Sequence, residues 1–440
     1  MWTGRRGKSP DLSPVEEAEL NASAGNIAVD LFRRESARLV AMLAGQFGTH
    51  RLQLAEDVVQ EALVRALQTW PYRGVPDNPA AWLTQTARNL ALDHLRREQN
   101  WREKEDGIAH EHDRWIAAPG PREENADTFT DDTLRMMFVC FHPQLSAEAQ
   151  TALALRTLCG LSPAEIAAEF LTSEAAIAKR LVRARQRIRE LALPFVVPTP
   201  DELSARLAGV LATLYLLFNE GYKASSGDRL VREELCHEAI RLALLLAAHP
   251  ATRQPVTHAL LALMLFNAAR LSARSDDAGN LLRLHEQDRT VWNQAMIARG
   301  LHYLALAASG DTVSEYHLEA GIAACHSTAA SAGDTDWPRI LALYDRLMAL
   351  THSPIAALNR AVALGRVHGP QVALNALSNI PARSSLESYH LFHAVRGSFL
   401  SELQRRKEAL AAFQRAKEIA TLPSEREFIA RLIREAVNDV

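Results

Sequence analysis

Apolar residues recur at three- and four-residue spacing almost without interruption from about residue 27 onward, as in LFRRESARLVAMLAGQF and LAEDVVQEALVRALQTW. Nowhere does a run alternate β-branched with polar residues, and no Asn-Gly pair marks a hairpin turn. A chain with that period buries its apolar stripes by packing helix on helix, so the expected fold class is all-α. Its 440 residues, 48% of them hydrophobic, suffice for about three packed units.

Breaker clusters divide the chain. Residues 1–26 carry an arginine pair without the apolar core of an export signal, and are expected to be a disordered lead. The first helical block covers 27–100. The next stretch, 101–130, is mostly acidic, lacks a sustained apolar face and contains Pro-Gly-Pro, which is linker composition. A second block covers 131–193. After the breaker PFVVPTPDEL, leucine- and alanine-rich helix fills 194–440. No apolar run reaches the ~18–20 residues of a membrane span, so a cytoplasmic protein without membrane contact is expected. The net charge of −3 excludes a uniformly basic nucleic-acid coat, but leaves locally basic helices open. Cys140, Cys159, Cys236 and Cys325 are far apart, show no ligand spacing and fit a reduced compartment without structural zinc.

The strongest local signal lies at 161–189. Ser162 with Glu165 three residues on reads as a capping box, and Ile166, Ala167 and Phe170 give a short first helix. Ser173 reads as the N-cap of a second helix, whose buried stripe is Ile177, Leu181, Ala184 and Ile188. The opposite side holds Ala175, Ala176, Lys179, Arg183 and Arg187. Small residues at the helix start let it approach base edges, and the cations behind them suit phosphates. A solvated basic helix would carry the same charges without needing the capped helix before it.

A second signal is NPAAWLTQTARNLALDHLRREQNW at 78–101. Leu83, Ala87, Leu90 and His94 are expected to pack inward, with Gln85, Asn89, Asp93 and Arg96 on the other face and Asp93–Arg97 as an i,i+4 pair. Amides and guanidinium forks read base edges, and Arg88, Arg96, Arg97 and Arg102 suit phosphate. Tyr72 and Trp82, in and after the loop PYRGVPDNPA, offer rings for an unstacked base. A plain amphipathic surface helix remains the alternative. In AEDVVQEALVRALQTW, Val58, Ala62, Ala66 and Trp70 form an apolar edge widened by Val59, Leu63 and Leu67. Glu56, Asp57, Gln60 and Glu61 are expected to stand outward as an acidic cluster.

Together these stretches resemble the extracytoplasmic-function (ECF) type of bacterial RNA polymerase sigma factors. AEDVVQEALVRAL is similar to that family's polymerase-binding helix, AWLTQTARNLALDHLRRE to its promoter −10 segment, and LSPAEIAAEFLTSEAAIAKRLVRARQRI to its −35-reading helix-turn-helix. The resemblance covers 27–193, which it identifies as sigma domain 2 (27–100), a linker (101–130) and sigma domain 4 (131–193). GVPDNPAAWL and LYLLFNEGYKASSGDRLVREEL resemble the subgroup with a long C-terminal extension similar to tetratricopeptide (TPR) repeats. Within 194–440, Gly397, Ala409, Phe413 and Ala416 match TPR positions 8, 20, 24 and 27. Ala373 and Leu377 fit a preceding unit, and Trp337–Leu350 with Tyr344 resembles the second helix of another. Ordinary helix packing also produces such small-residue spacing.

The resemblance implies that Asp57, Gln60 and Glu61 face the polymerase clamp helices, with further contact to the flap. It places Trp82, Arg88, Asn89, Asp93, Arg96 and Arg97 on the −10 side. Ser173, Glu174, Ala176, Lys179, Arg180 and Arg183 lie in or beside the −35 helix, where Arg180 sits close to the buried stripe. The loop before Trp82 is more proline-rich than is usual in the family, and Ala-Ala-Ile replaces Gly-Thr-Val in the recognition helix. Core polymerase and promoter DNA are the implied partners, with a protein or ligand for the extension. A stand-alone helix-turn-helix regulator with a helical sensor is the alternative, and a TPR-type scaffold with a vestigial DNA-binding part a further one. No GxSxG, HExxH or P-loop occurs, so neither an enzyme nor a cofactor is expected. His110, Glu111, His112 and Asp113 lie in the acidic linker, and His390 and His393 fit packing positions, so no metal site is assigned.

Overall fold

The computed structural model describes residues 35–106, 126–169, 172–222, 231–276, 282–380 and 386–438. The regular structure of these residues is helical and includes no strand, as the periodicity requires. The chain divides after Arg206 into two compact units.

The first unit contains a helix over 35–47 (α1), then α2 (Leu52–Arg73), α3 (Pro79–Asp106), α4 (Ala126–Cys140), α5 (Ala147–Thr157), α6 (Pro163–Glu169) and α7 (Glu174–Glu190). Val58, Ala62, Ala66 and Trp70 of α2 are buried with Leu83, Ala87 and Leu90 of α3, and the two helices pack together. Gly74, at φ 81°, ends α2 in the left-handed region that glycine enters without a Cβ clash. Asn78 starts α3, its Oδ1 accepting from the Ala81 N–H at 3.0 Å, and Pro79 takes the first helical position. Helix α3 continues to Asp106 and α4 begins at Ala126, so helix enters both ends of the stretch with linker composition. His110 to Asp113, Phe170 and the 1–26 lead lie outside the described residues.

Helix α8 (Pro200–Tyr222) runs across the division. The second unit continues with α9 (Glu233–Ala248), α10 (Pro255–Ala268), α11 (Gln294–Ala307), α12 (Glu315–Thr328), α13 (Trp337–Leu350), α14 (Pro354–His368), α15 (Pro370–Ser378), α16 (His390–Glu402), α17 (Arg406–Ile419) and α18 (Pro423–Asn438). From α9 to α18 most helices pack on their successor in sequence, the pattern that short connections impose. The stretch Pro255–Ala273 is long and apolar enough to cross a membrane by length and composition, but 72% of its most apolar window is buried among the other helices. Its hydrophobicity therefore builds core. His390 and His393 are buried, held by the Glu425 carboxylate at 3.3 Å and the Glu387 carbonyl at 3.0 Å.

Close approach in this unit depends on glycine. A Cβ on Gly397 would stand 2.5 Å from the Phe413 ring, where α17 closes on α16 with Ala409 and Ala416 also fully buried. Replacing Gly397 with Ala should destabilise the protein by about 1–3 kcal/mol, because neither ring nor helix has room to retreat. A Cβ on Gly209, in the interior of α8, would meet nothing within 4 Å, and there Gly→Ala should stabilise by about 0.5–1 kcal/mol. Urea unfolding midpoints moving in opposite directions for the two variants are the expected result.

Candidate nucleic-acid interface

Two exposed helical faces in the first unit carry base- and phosphate-reading chemistry. On α3, Gln85, Asn89, Asp93, Arg96 and Arg97 are exposed along one side. The Gln85 Nε2 donates to Asn89 Oδ1 at 2.9 Å, so the two amides are already oriented as a pair. Asp93 pairs with Arg96 at 3.7 Å, a spacing of three in place of the expected pair with Arg97. Arg88 is half-buried at the edge of this face, and its Nε is buried without a partner. His94, expected inward, is exposed and lies 4.0 Å from Glu61 of α2, since the inward stripe passes from Leu90 to Ala91. Trp82 is half-buried and meets Trp70 edge to face, with ring centroids 5.6 Å apart. Its indole is thereby fixed by the core, while Tyr72 at the end of α2 is 84% exposed.

On α7 the expected local chemistry is present atom by atom. Ser162 and Glu165 form the reciprocal capping box of α6: Ser162 N–H donates to Glu165 Oε2 at 2.7 Å, and Glu165 N–H to Ser162 Oγ at 3.2 Å. Ser173 Oγ accepts from the Ala176 N–H at 3.2 Å and opens α7. Ile177, Leu181, Ala184 and Ile188 are buried, which turns Glu174, Lys179, Arg183 and Arg187 to solvent. Ala176 is half-buried. Arg180 is drawn toward α5 by Glu148, with Nη2 and Oε2 2.8 Å apart.

The acidic cluster of α2 separates into two environments. Asp57 and Gln60 are exposed, and Glu61 is half-buried with Arg65 at 2.9 Å. Glu56, expected among them, is only 4% exposed. Its Oε1 accepts from Thr157 Oγ1 of α5 at 2.6 Å, and its Oε2 is ion-paired with Arg185 of α7. Burial, reinforced by this nearby carboxylate, pushes the Cys140 thiol far above its usual range. The cause of the misplacement is helical phase: Glu56 stands three residues before Val59 and lies on the buried edge.

Two further contacts join the same blocks. Thr49 Oγ1 donates to the Leu193 carbonyl at 2.7 Å. Gly160, at φ 68°, lies so near α1 that a Cβ there would be 2.9 Å from Ser36 Oγ. The helix-turn-helix and the α2–α3 pair are thus clasped around Glu56.

Comparison with known proteins finds three families along the chain. The Sigma-70 region 2 family matches residues 31–102, the Sigma-70, region 4 family matches 135–188, and a family of unknown function (DUF6596) matches 206–308. An uncharacterized protein of Rhizobium meliloti (strain 1021) is 41% identical over 401 residues, covering 90% of this chain and 92% of that one. A protein named as a probable ECF RNA polymerase sigma factor, SigI, in two strains of Mycobacterium tuberculosis is 28% identical over 253 residues, covering 53% of this chain and 83% of its own. No solved structure matches.

Glu56→Ala leaves the Arg185 guanidinium, 13% exposed, buried without its counter-charge, and should cost about 3–5 kcal/mol in urea unfolding. Replacing both partners, Glu56→Leu with Arg185→Met, should restore most of that loss, since Arg185 then no longer leaves a buried charge without its partner. A double variant no more stable than Glu56→Ala would contradict the ion-pair account.

Proposed function

We propose that the chain, which belongs to the extracytoplasmic-function type of RNA polymerase sigma factors in a form that carries a C-terminal extension, binds core RNA polymerase in the cytoplasm and directs initiation at promoters selected by α3 and α7. In this reading Asp57, Gln60 and Glu61 dock on the basic clamp helices, and the helix-turn-helix block also meets the flap. Asn89, Asp93, Arg96 and Arg97 address the −10 element, with Arg88 on phosphate. Trp82 and Tyr72 receive a flipped base, because a site built of rings favours the unstacked strand over duplex. Ser173, Glu174, Ala176, Lys179 and Arg183 address the −35 element, Arg180 serving beside them. The residues between α3 and α4 connect the two blocks through the polymerase. The TPR-like helices after residue 194 form a regulatory module in the same chain.

The observation that carries the reading is the pairing of two differently built faces in one chain. The amide–guanidinium face of α3 suits melted DNA beside aromatic rings, and the capped, cation-backed α7 suits the major groove. A stand-alone regulator would use α7 and leave the α3 face and the Asp57–Glu61 cluster without a task.

The clasp around Glu56 adds a condition. Elements named −10 and −35 lie about 25 base pairs apart, roughly 85 Å of duplex at 3.4 Å per step. A compact block of this size is only about 40 Å across. Both elements are therefore engaged after the two blocks separate, and the Glu56 contacts are among those that open.

Reconstituted transcription with core polymerase on genomic fragments tests the reading, with discrete promoter-specific transcripts as the expected outcome. Alanine at both Asn89 and Arg96 should abolish promoter opening, seen by permanganate footprinting, while core binding persists. Alanine at both Lys179 and Arg183 should weaken promoter binding and flatten its salt dependence by about two charges. Thr157→Val removes one hydrogen bond of the clasp and should tighten core binding several-fold, in line with ~1 kcal/mol for such a bond. Absence of any core-dependent transcript across the fragments would sink the sigma-factor reading. Deleting 200–440 without changing transcript yield would sink the regulatory one.

A further inference from the structure

The second unit contains a half-open cleft of about 1050 Å³, at the upper end of the size range of small-molecule sites. One face of α12 runs along it, bearing Glu315, Glu319, Ile322 and His326 at spacings of four, three and four. Seven residues separate Glu319 from His326, about 10 Å along the helix axis. The ends of that face differ in charge.

At one end are two carboxylates. Glu319 accepts from the Tyr215 hydroxyl at 2.8 Å, and burial raises its pKa above the ordinary carboxylate value. Tyr344, also on the wall, is raised to about 12 by burial and by the Glu319 charge. Among the described residues no cation reaches ion-pair distance of Glu315 or Glu319. At the other end are Arg270 and Arg289. Arg270 donates to Asn267 Oδ1 at 3.1 Å, and Arg289 donates to the His326 and Ala329 carbonyls, both at 2.7 Å. The guanidiniums are near enough for Arg270 to lower the Arg289 pKa, behind burial as the larger cause. No carboxylate among the described residues pairs with either. Asp334 acts on Arg289 only from beyond ion-pair range, and its Oδ2 is already taken by the Ser331 backbone N–H and hydroxyl. His326 is held neutral between them, its pKa lowered to about 4 by burial and then by Arg270 and Arg289, and its Nδ1 is buried with no partner. Leu263, Ile322, Leu347 and Val362 line the space between the two ends.

Partly desolvated charges of both signs, held apart in one cavity, destabilise the empty protein and match a ligand that brings both counter-charges. We propose that this cavity binds a short apolar peptide of about three to five residues with both termini free, its ammonium on Glu315 and Glu319 and its carboxylate on Arg270 and Arg289. An extended peptide advances about 3.3–3.6 Å per residue, so three residues already cover the distance along α12. Guanidinium–carboxylate hydrogen bonds fix one end, and the aliphatic wall holds the side chains. The proposal deepens the reading of the extension as a regulatory module and rests on it for its biological meaning.

Isothermal titration of the full chain with unblocked Ala/Leu peptides of two to six residues tests the site without polymerase or DNA. Saturable binding with an optimum at three to five residues is expected. N-acetylation or C-amidation of the best peptide should each weaken it at least tenfold. Glu319→Gln should weaken the free peptide but not the N-acetylated one, and Arg270→Met should weaken the free peptide but not the C-amidated one. Those selective losses separate a contact from a general loss of fold. No binding by any member of the series, or equal binding of blocked and unblocked forms, overturns the proposal. Transcription with and without the bound peptide is a separate measurement: binding with no effect on transcription would overturn the regulatory reading and leave the site standing.

Discussion

A carboxylate buried between two helical blocks must find donors or it destabilises whatever buries it. Glu56 finds two, the Thr157 hydroxyl on α5 and the Arg185 guanidinium on α7. Since the donors come from different helices, the pair fixes where the helix-turn-helix sits against α2, a setting that apolar contact alone leaves free to slide. Buried ion pairs of this kind are near break-even against hydrophobic packing, because water competes well for both partners once they are exposed. Such a clasp is specific in geometry and modest in net energy. Those are the properties that the proposed separation of the two blocks requires of the contact between them.

Much of this arrangement was legible in the sequence, for identifiable reasons. The stripe Ile177, Leu181, Ala184 and Ile188 is buried as its spacing requires, and both caps of the helix-turn-helix form the hydrogen bonds that Ser162, Glu165 and Ser173 announce. Such signals are local, and local hydrogen-bond chemistry is written within three or four residues. Glu56 was misplaced because residue type outweighed helical phase: among Asp57, Gln60 and Glu61 it looks like solvent-facing charge, yet its position in the turn is that of Val59. Its partners stand 101 and 129 residues away, and no periodicity carries information over that distance. His94 failed the other way. Extending the Leu83–Ala87–Leu90 stripe by one more step ignored helical drift: the buried line moves to Ala91 and leaves His94 at the edge beside Glu61.

In the second unit the small residues were the visible part. Gly397 and Phe413 meet as the repeat spacing anticipates, and Gly300 meets Phe266 in the same manner without lying in any recognised repeat. A glycine opposite a phenylalanine lets two helices approach and then fills the gap with a ring. The cavity was not visible beforehand. Arg270 follows α10, Arg289 precedes α11, and Glu315 and Glu319 lie on α12, so no single stretch of the chain displays them together.

Elsewhere in the same unit, charged groups of opposite sign meet across long stretches of chain. Arg283 and Arg431 share Glu286 and Glu435 between the segment before α11 and the last helix, with the closest contacts at 2.6–3.2 Å. Arg360 reaches across to Asp345 at 2.6 Å, from α14 to α13. A fold that can bring such groups together across 15 to 150 residues is under no geometric compulsion to leave Glu319 and Arg270 on opposite ends of one cavity. The Arg283–Glu435 network also ties down the segment that carries Arg289, so that the cationic end is held still by the C-terminal helix. Pre-positioning charges in this way costs stability in the empty state and lowers the ordering cost of binding, the balance expected where occupancy, not fold alone, is what the module reports.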